Sequence, residues 1–407
     1  MKNIKYNQYC SIRDSLHDIS YKGIGLSQLS AYFIADFVYF FSDKTFSQKI
    51  KVLIRSLFFI PRIPLPKVMP NDSVYGWSIE RSDYEELSAA YKNSLGWKFE
   101  NICLGNTYLK KYFNLNFNAL FVALKCCIKL KHETSENRIY TFLSVYHSLS
   151  LYLSIESRFL NYKPQNYLSF NSSFCNESVF TSYLRNKGVC TYSMQHGMFF
   201  EFKNEIPFEM ITSYYSAAEN VLLWGEFSKN EIYPYHEKST NLIVFGNPLY
   251  FGKSILSSSR YSPNSLIVLV GLPRGLYSNE IKNLLCLISD ESLCKYKFII
   301  RCHPSIDKTV LESFLTCENL IFSRAKTIQE DFANEKYRAM IGFNSAVIFE
   351  GTQVGIPILQ YRSGNDEFYN VGFTEFSDAK NLQKNLKNLE EFSNMNGFYF
   401  SPQQSHN

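Results

Sequence analysis

The chain is 407 residues long, two to three times the usual domain, so two domains with separate cores are expected. Hydrophobic residues make up 45% and aromatics 16%, which excludes a disordered chain. The 42 basic and 37 acidic residues leave a net charge of +5, too small and too dispersed to argue for a nucleic-acid partner.

The amino terminus, MKNIKYNQYCSIRDS, lacks the apolar centre and small-residue cleavage site of a signal peptide. No apolar run reaches the roughly 18 residues a membrane span needs; AYFIADFVYFF, 31–41, is too short and carries Asp36. A cytoplasmic protein is expected. SDKTFSQKIKVLIRSLFFIPRIPLPK, 42–67, interleaves Lys44, Lys49, Lys51, Arg55, Arg62 and Lys67 with Ile54, Leu57, Phe58, Phe59 and Ile60. Such a mixture is either an amphipathic segment with a solvated basic face or a peripheral contact with the anionic inner face of the cytoplasmic membrane. The ten cysteines include no CxxC pair and no His/Cys metal spacing, so neither a disulfide nor a zinc site is expected.

Residues 1–160 read mainly as helices, among them 116–133 and 138–160. From Asn166 the pattern changes. YLSF (167–170) predicts a strand, NESVFTSYLRNKG (176–188) a helix ending at Gly188, and VCTYSMQ (189–195) a second strand, together a β-α-β unit. NVLLWG (220–225) and NLIVFGNP (241–248) repeat the strand-then-glycine pattern around the helical FSKNEIYPYH. GKSILSSSRYSPN, 252–264, reads as an interdomain linker. Beyond it, five strands (SLIVLVG, KFIIRCHP, NLIFS, RAMIGF, PILQY) alternate with four helices (SNEIKNLLCLISD, one around VLESFL, TIQEDFANE, SAVIFEGTQVG). The expected fold is α/β: residues 1–256 form a helix-rich domain with a Rossmann-like sheet, and 257–407 a second Rossmann-like domain.

Ligands of open parallel sheets bind beyond the carboxyl ends of strands, and the chemically capable residues fall there: Gln195-His196-Gly197, Gly225, Gly246-Asn247-Pro248, Gly271-Leu272-Pro273-Arg274-Gly275, Arg301-Cys302-His303-Pro304 and Asn344-Ser345. In GLPRG, two glycines let backbone approach a ligand and Arg274 suits phosphate, though a structural turn explains the glycines as well. RCHP sets a cation beside an imidazole before a strand-stopping proline; a lone strand-end histidine is more often structural, and Arg301 shifts that balance. Ser345 stands at a helix start, where hydroxyl and free amides hold phosphate. Glu350, five residues on, could accept from two ribose hydroxyls or simply be solvated.

In the order QHG, WGE, GNP, RCHP, NSAVIFEGTQVGIPIL, residues 166–365 resemble the GT-B superfamily, nucleotide-sugar glycosyltransferases with two facing Rossmann-like domains across a central cleft, and their relative UDP-N-acetylglucosamine 2-epimerase. The set is similar to bacterial capsule and O-antigen transferases of lipopolysaccharide biosynthesis, including sialic acid, Kdo and polyol-phosphate groups. The resemblance to sialyltransferases implies that His303 and Pro304 bind the donor CMP and that Ser345 holds its phosphate. This chain has no acidic pair followed by glycine, the triplet that supplies the base in those enzymes. His196 is then the expected group that takes the acceptor proton, or donates to the leaving phosphate, with Glu177 as rival base.

These readings lead to an inverting transferase that moves a sugar, preferably sialic acid from CMP-sialic acid, to a glycan acceptor on a lipid carrier, without metal or cofactor. Donor contacts would come from Gly271, Arg274, Arg301, His303, Pro304, Asn344, Ser345 and Glu350. The alternatives are a UDP-sugar or CDP-polyol-phosphate transferase and a non-catalytic scaffold of polysaccharide assembly with a degenerate nucleotide site.

Overall fold

The computed structural model describes residues 3–41, 43–64, 72–79, 81–105, 109–130, 134–199, 206, 208, 211–212, 215–236, 238–251, 260–273, 277–303, 305–307, 309, 311, 317–345, 347–364 and 372–389. The chain divides into two compact units. Unit 1 comprises Met1–Phe199, Asn204–Leu223 and Lys229–Val244; unit 2 comprises Phe200–Lys203, Trp224–Ser228 and Phe245–Asn407. Residues 252–259 of the expected linker lie outside the described residues.

Through unit 1 run α1 (Ile4–Ser15), β1 (Ser20–Tyr21), β2 (Ile24–Gly25), α2 (Leu26–Phe40), α3 (Phe46–Phe58), β3 (Phe59–Pro61), β4 (Ser73–Trp77), α4 (Ser82–Leu95), β5 (Phe99–Cys103), β6 (Lys111–Phe113), α5 (Phe117–Lys129), α6 (Ser135–Arg158), β7 (Asn166–Ser169), α7 (Cys175–Asn186), β8 (Cys190–Met194) and β9 (Asn220–Leu223). Then follow α8 (Glu226–Ile232), which crosses the unit boundary, and β10 (Asn241–Val244). Six strands form one parallel sheet in the order β10-β9-β8-β7-β4-β5. Residues 1–160 are mainly helical, as expected, but β4 and β5, joined by α4, enter the sheet well before Asn166, where the sequence first marked strands. Glycine is required in β4: a Cβ on Gly76 would lie 2.2 Å from the Tyr167 hydroxyl of neighbouring β7. The long helix α6 starts where the Thr134 hydroxyl accepts from the Asn137 amide. It packs against α2 through small polar positions, with the Ser30 and Ser148 hydroxyls 2.8 Å apart.

Unit 2 holds β11 (Ile267–Gly271), α9 (Ser278–Ile288), β12 (Lys297–Arg301), β13 (Leu320–Phe322), α10 (Ile328–Asn334), β14 (Ala339–Gly342), α11 (Val347–Gln353), β15 (Ile358–Tyr361), β16 (Thr374–Phe376) and α12 (Ala379–Lys387). Its parallel sheet runs β13-β12-β11-β14-β15-β16, so six strands stand where five were expected. Most of the helix expected around VLESFL lies outside the described residues. The central strands are apolar throughout, as burial on both faces demands. Val268, Val270, Phe298, Ile341 and Leu359 pack with Leu284, Leu285 and Ile288 of α9 in one core. Two Rossmann-like sheets flanked by helices are therefore present. Among the described residues no helix is long and apolar enough to cross a membrane.

Candidate functional site

In unit 2 the strands stand in the order third, second, first, fourth, fifth, sixth along the chain, so direction reverses between β11 and β14, the place where doubly wound sheets bind ligands. Register aligns the strand ends there: Gly271 lies opposite Arg301 on one side and Gly342 on the other, and the Leu272 amide donates to the Arg301 carbonyl at 2.9 Å. Leu272-Pro273, Cys302-His303 and Phe343-Asn344-Ser345 thus leave the same edge of the sheet. Arg274 and Pro304 lie outside the described residues. The first turn of α11 sits tight on this edge. A Cβ on Gly271 would come within 2.5 Å of Val347 Cγ1, and one on Gly342 within 2.3 Å of Ile348 Cγ2. Asn344 makes the turn in the left-handed region, φ 44°.

Arg301 is not a loose cation. Its Nη1 donates to Asp331 Oδ2 at 2.7 Å, its Nη2 to the Lys326 carbonyl at 3.2 Å, and Asp331 also accepts from the Ser323 hydroxyl at 2.6 Å. This knot, buried at Asp331 and half-buried at Arg301, fixes the turn after β13 and walls a recess of about 870 Å³ at the ends of β12 and β13, lined among others by Arg301, Cys302, His303, Phe322, Arg324 and Lys326. Three of these side chains are always or ordinarily cationic, which suits an anion. The His303 Nδ1 accepts from the Ser305 amide at 3.1 Å, so a neutral ring carries its proton on Nε2. Arg324, Lys326 and Asp331 were missed in the sequence reading, although SRAK follows a strand just as RCHP does.

Glu350, on α11, accepts from the Tyr250 hydroxyl at 2.7 Å and from Gln329 Nε2 at 3.4 Å. Tyr250 is delivered by the GNP stretch: Gly246 adopts φ 92°, and the Asn247 side chain accepts from the Leu249 amide at 3.2 Å to cap the short Pro248–Tyr250 turn. GNP therefore has a structural task, which is to bring a phenol to a carboxylate a hundred residues away.

In unit 1 the reversal falls between β4 and β7, and Glu177 stands on the first turn of α7 directly after β7. It is fully enclosed, at 0% exposure. Its Oε2 accepts from the Ser169 hydroxyl at 2.6 Å and the Asn171 amide at 2.9 Å, while Oε1 has no hydrogen-bond partner. Burial raises its pKa from 4.5 to about 7, partly opposed by those hydrogen bonds and by the Ser78 hydroxyl. His196, past the end of β8, lies against Phe170 (ring centroids 4.7 Å apart) and edge-on to Tyr84 (6.0 Å). Its Nδ1 is enclosed without a hydrogen-bond partner. Burial, helped by the nearby Arg81 charge, lowers its pKa to about 4, so the ring is neutral at physiological pH. Gln195 braces the turn from both sides, its amide donating to the Leu222 carbonyl at 3.0 Å and its Nε2 to the Gly197 carbonyl at 2.7 Å. Of the expected site residues, His196 and Glu177 thus belong to unit 1 and the remaining eight to unit 2.

No protein-family model and no curated protein sequence matches the chain. Among solved structures, UDP-GlcNAc 2-epimerase from Methanocaldococcus jannaschii is 12% identical, with a TM-score of 0.47 over 82% of this chain and 97% of that one. A complex of S. aureus MnaA with UDP is 11% identical, with a TM-score of 0.44 over 82% of this chain and 92% of that one. The wall teichoic acid polymerase TagF, as a variant soaked with CDPG, is 12% identical, with a TM-score of 0.41 over 80% of each chain. The fold assignment rests on the two sheet topologies themselves.

Proposed function

We propose that the chain is a glycosyltransferase of the GT-B type whose unit 2 receives a nucleotide-activated sugar. The observation that carries this reading is the alignment of Gly271, Arg301 and Gly342 at the carboxyl ends of adjacent strands, at the reversal point of a Rossmann-ordered sheet, beside the cationic recess. His303, Arg324 and Lys326 stabilise the negative charge that gathers on the nucleotide phosphate as its bond to the sugar breaks. Arg301 is a positioning residue that holds the recess wall through Asp331. Asn344 and Ser345 meet the phosphate at the turn into α11, and Glu350, already holding the Tyr250 hydroxyl, receives the ribose. Gly271 leaves room for the donor backbone contact; Arg274 and Pro304, outside the described residues, stay donor contacts on the sequence alone.

His196 takes the hydrogen bond of the attacking acceptor hydroxyl, and its proton as the bond to the sugar forms; the ring is neutral, and the burial that lowers its pKa to about 4 also weakens it as a base. Glu177, sealed from solvent, supports the turn after β7 instead of meeting substrate. The preferred donor is CMP-sialic acid and the acceptor a lipid-linked glycan of the O-antigen or capsule, with a UDP-sugar or CDP-polyol phosphate as the alternative donor. No metal is invoked, so turnover should persist in EDTA.

A thermal-shift panel of CMP, CDP, UDP, GDP and ADP on the wild type and His303→Ala tests the reading, since a ligand at a hundred times its Kd adds about 2.7 kcal/mol to stability. A shift with CMP alone, lost in the variant, supports a sialic acid donor. A shift with UDP or CDP selects the alternative, and none with any nucleotide refutes the transferase in favour of a scaffold.

A further inference from the structure

The helix α5 is turned inside out. Its small residues Ala119, Ala123 and Cys126 are buried, while Phe117, Phe121, Leu124 and Ile128, at helical spacing, point into solvent with exposures of 71%, 60%, 47% and 64%. A helix placed only to fill a core would do the reverse. The stripe continues through exposed Phe113 and Leu115 into the β3–β6 ribbon, where Phe113 stacks on Phe58 at the end of α3 with centroids 5.7 Å apart. Helix α3 has no buried residue and exposes Phe46, Ile50 and Ile54 in turn. Soluble monomers seldom leave so continuous an apolar surface uncovered.

Charge identifies what covers it. Residues 44–64 carry five basic side chains and 109–130 carry four, and neither stretch contains a single Asp or Glu. In the sequence the flanking acids are Asp43 and Asp72 around the first stretch, and Glu100, Glu133 and Glu136 around the second, with Glu133 outside the described residues. Asp43 is engaged by Lys5, and the Glu136 carboxylate by the Tyr140 hydroxyl. None of the nine cations takes part in an ion pair among the described residues. Lys125 sits over the Phe121 ring at 4.4 Å, so the charge flanks the apolar stripe directly. Large apolar side chains bordered by lysines are what an anionic bilayer surface receives: the apolar groups enter the acyl boundary and the ammonium groups stay at the headgroup phosphates.

We propose that the face built from α5, the β3–β6 ribbon and α3 docks unit 1 on an anionic lipid bilayer. The proposal stands independently of the glycosyltransferase reading and is tested without turnover, so either can fail alone. The full chain is sedimented with phosphatidylcholine vesicles containing or lacking phosphatidylglycerol, as wild type, Phe121→Glu/Ile128→Glu and Lys125→Glu/Lys129→Glu. All four altered positions are exposed, and circular dichroism checks that each variant is folded. The wild type should partition to the anionic vesicles only, less so as salt rises. Each variant should partition at least about tenfold less, since one basic residue near such a surface changes partitioning about fivefold. No sedimentation with anionic vesicles, or equal sedimentation of wild type and variants, overturns the proposal. So does a wild-type dimer in solution that Phe121→Glu/Ile128→Glu converts to monomer, because a second copy would then cover the face.

Discussion

The proton on Glu177 contributes stability to unit 1 that is present in acid and lost as pH rises. The carboxyl keeps its proton in the folded state up to about pH 7, whereas in the unfolded chain it is lost near 4.5. Between those values the folded state binds one proton more, so stability is full below 4.5 and declines as pH rises through 7. At about 1.4 kcal/mol per pH unit, that interval amounts to about 3 kcal/mol. Glu177→Gln keeps the oxygen that accepts from Ser169 and the Asn171 amide, and it cannot ionise. Its stability relative to wild type should therefore be near zero at pH 4.5 and rise to about 3 kcal/mol in its favour at pH 8. Urea unfolding followed by fluorescence reads this out, since Trp77 and Trp97 both lie in unit 1. Other titrating groups are common to the two proteins and cancel in the difference. A difference that stays constant from pH 5 to 8 would refute the reasoning.

His196 works in the opposite direction: held near 4 when folded against 6.5 when free, it costs stability as pH falls from 6.5 to 4, by up to about 3 kcal/mol. His196→Asn should lack that slope in the same urea titration. Arg301→Ala strands the Asp331 carboxylate, whose side chain is 6% exposed, and should cost unit 2 about 3 kcal/mol by chemical denaturation, with Arg301→Lys recovering only part. Gly271→Ala drives a methyl into Val347 and should cost about 1–3 kcal/mol. Val347→Ala should relieve it, giving a double-mutant cycle non-additive by more than about 0.5 kcal/mol; an additive cycle would mean that α11 does not rest on the strand.

What the sequence disclosed follows from how each element is stabilised. The strands IVLVG and AMIG are apolar because they are buried on both faces, and that composition alone marks them. By contrast β4, SVYGW, and β5, FENIC, carry a glycine demanded by a distant tyrosine and polar residues at a sheet edge, so nothing local separates them from the helices around them. The sixth strand of unit 2, TEF, is an edge strand of three residues with no apolar run. The same division holds for the candidate site. Strand ends announce themselves through RCHP and QHG, but the partners that decide what those residues can do are remote: Asp331 for Arg301, Tyr250 for Glu350, Phe170 for His196. Helix α5 was recognised as a helix, yet periodicity does not tell which of its two faces turns inward.

The small side chains on the inward face of α5 have a dynamic consequence. Its fully buried residues are two alanines and a cysteine, so its inward face buries smaller side chains than the Phe- and Tyr-rich packing of α6 beneath it. Segments held that lightly open locally well before the domain unfolds. In hydrogen-exchange terms, the amides of α5 should be less protected than those of α6, and whatever occupies its outer face should slow their exchange.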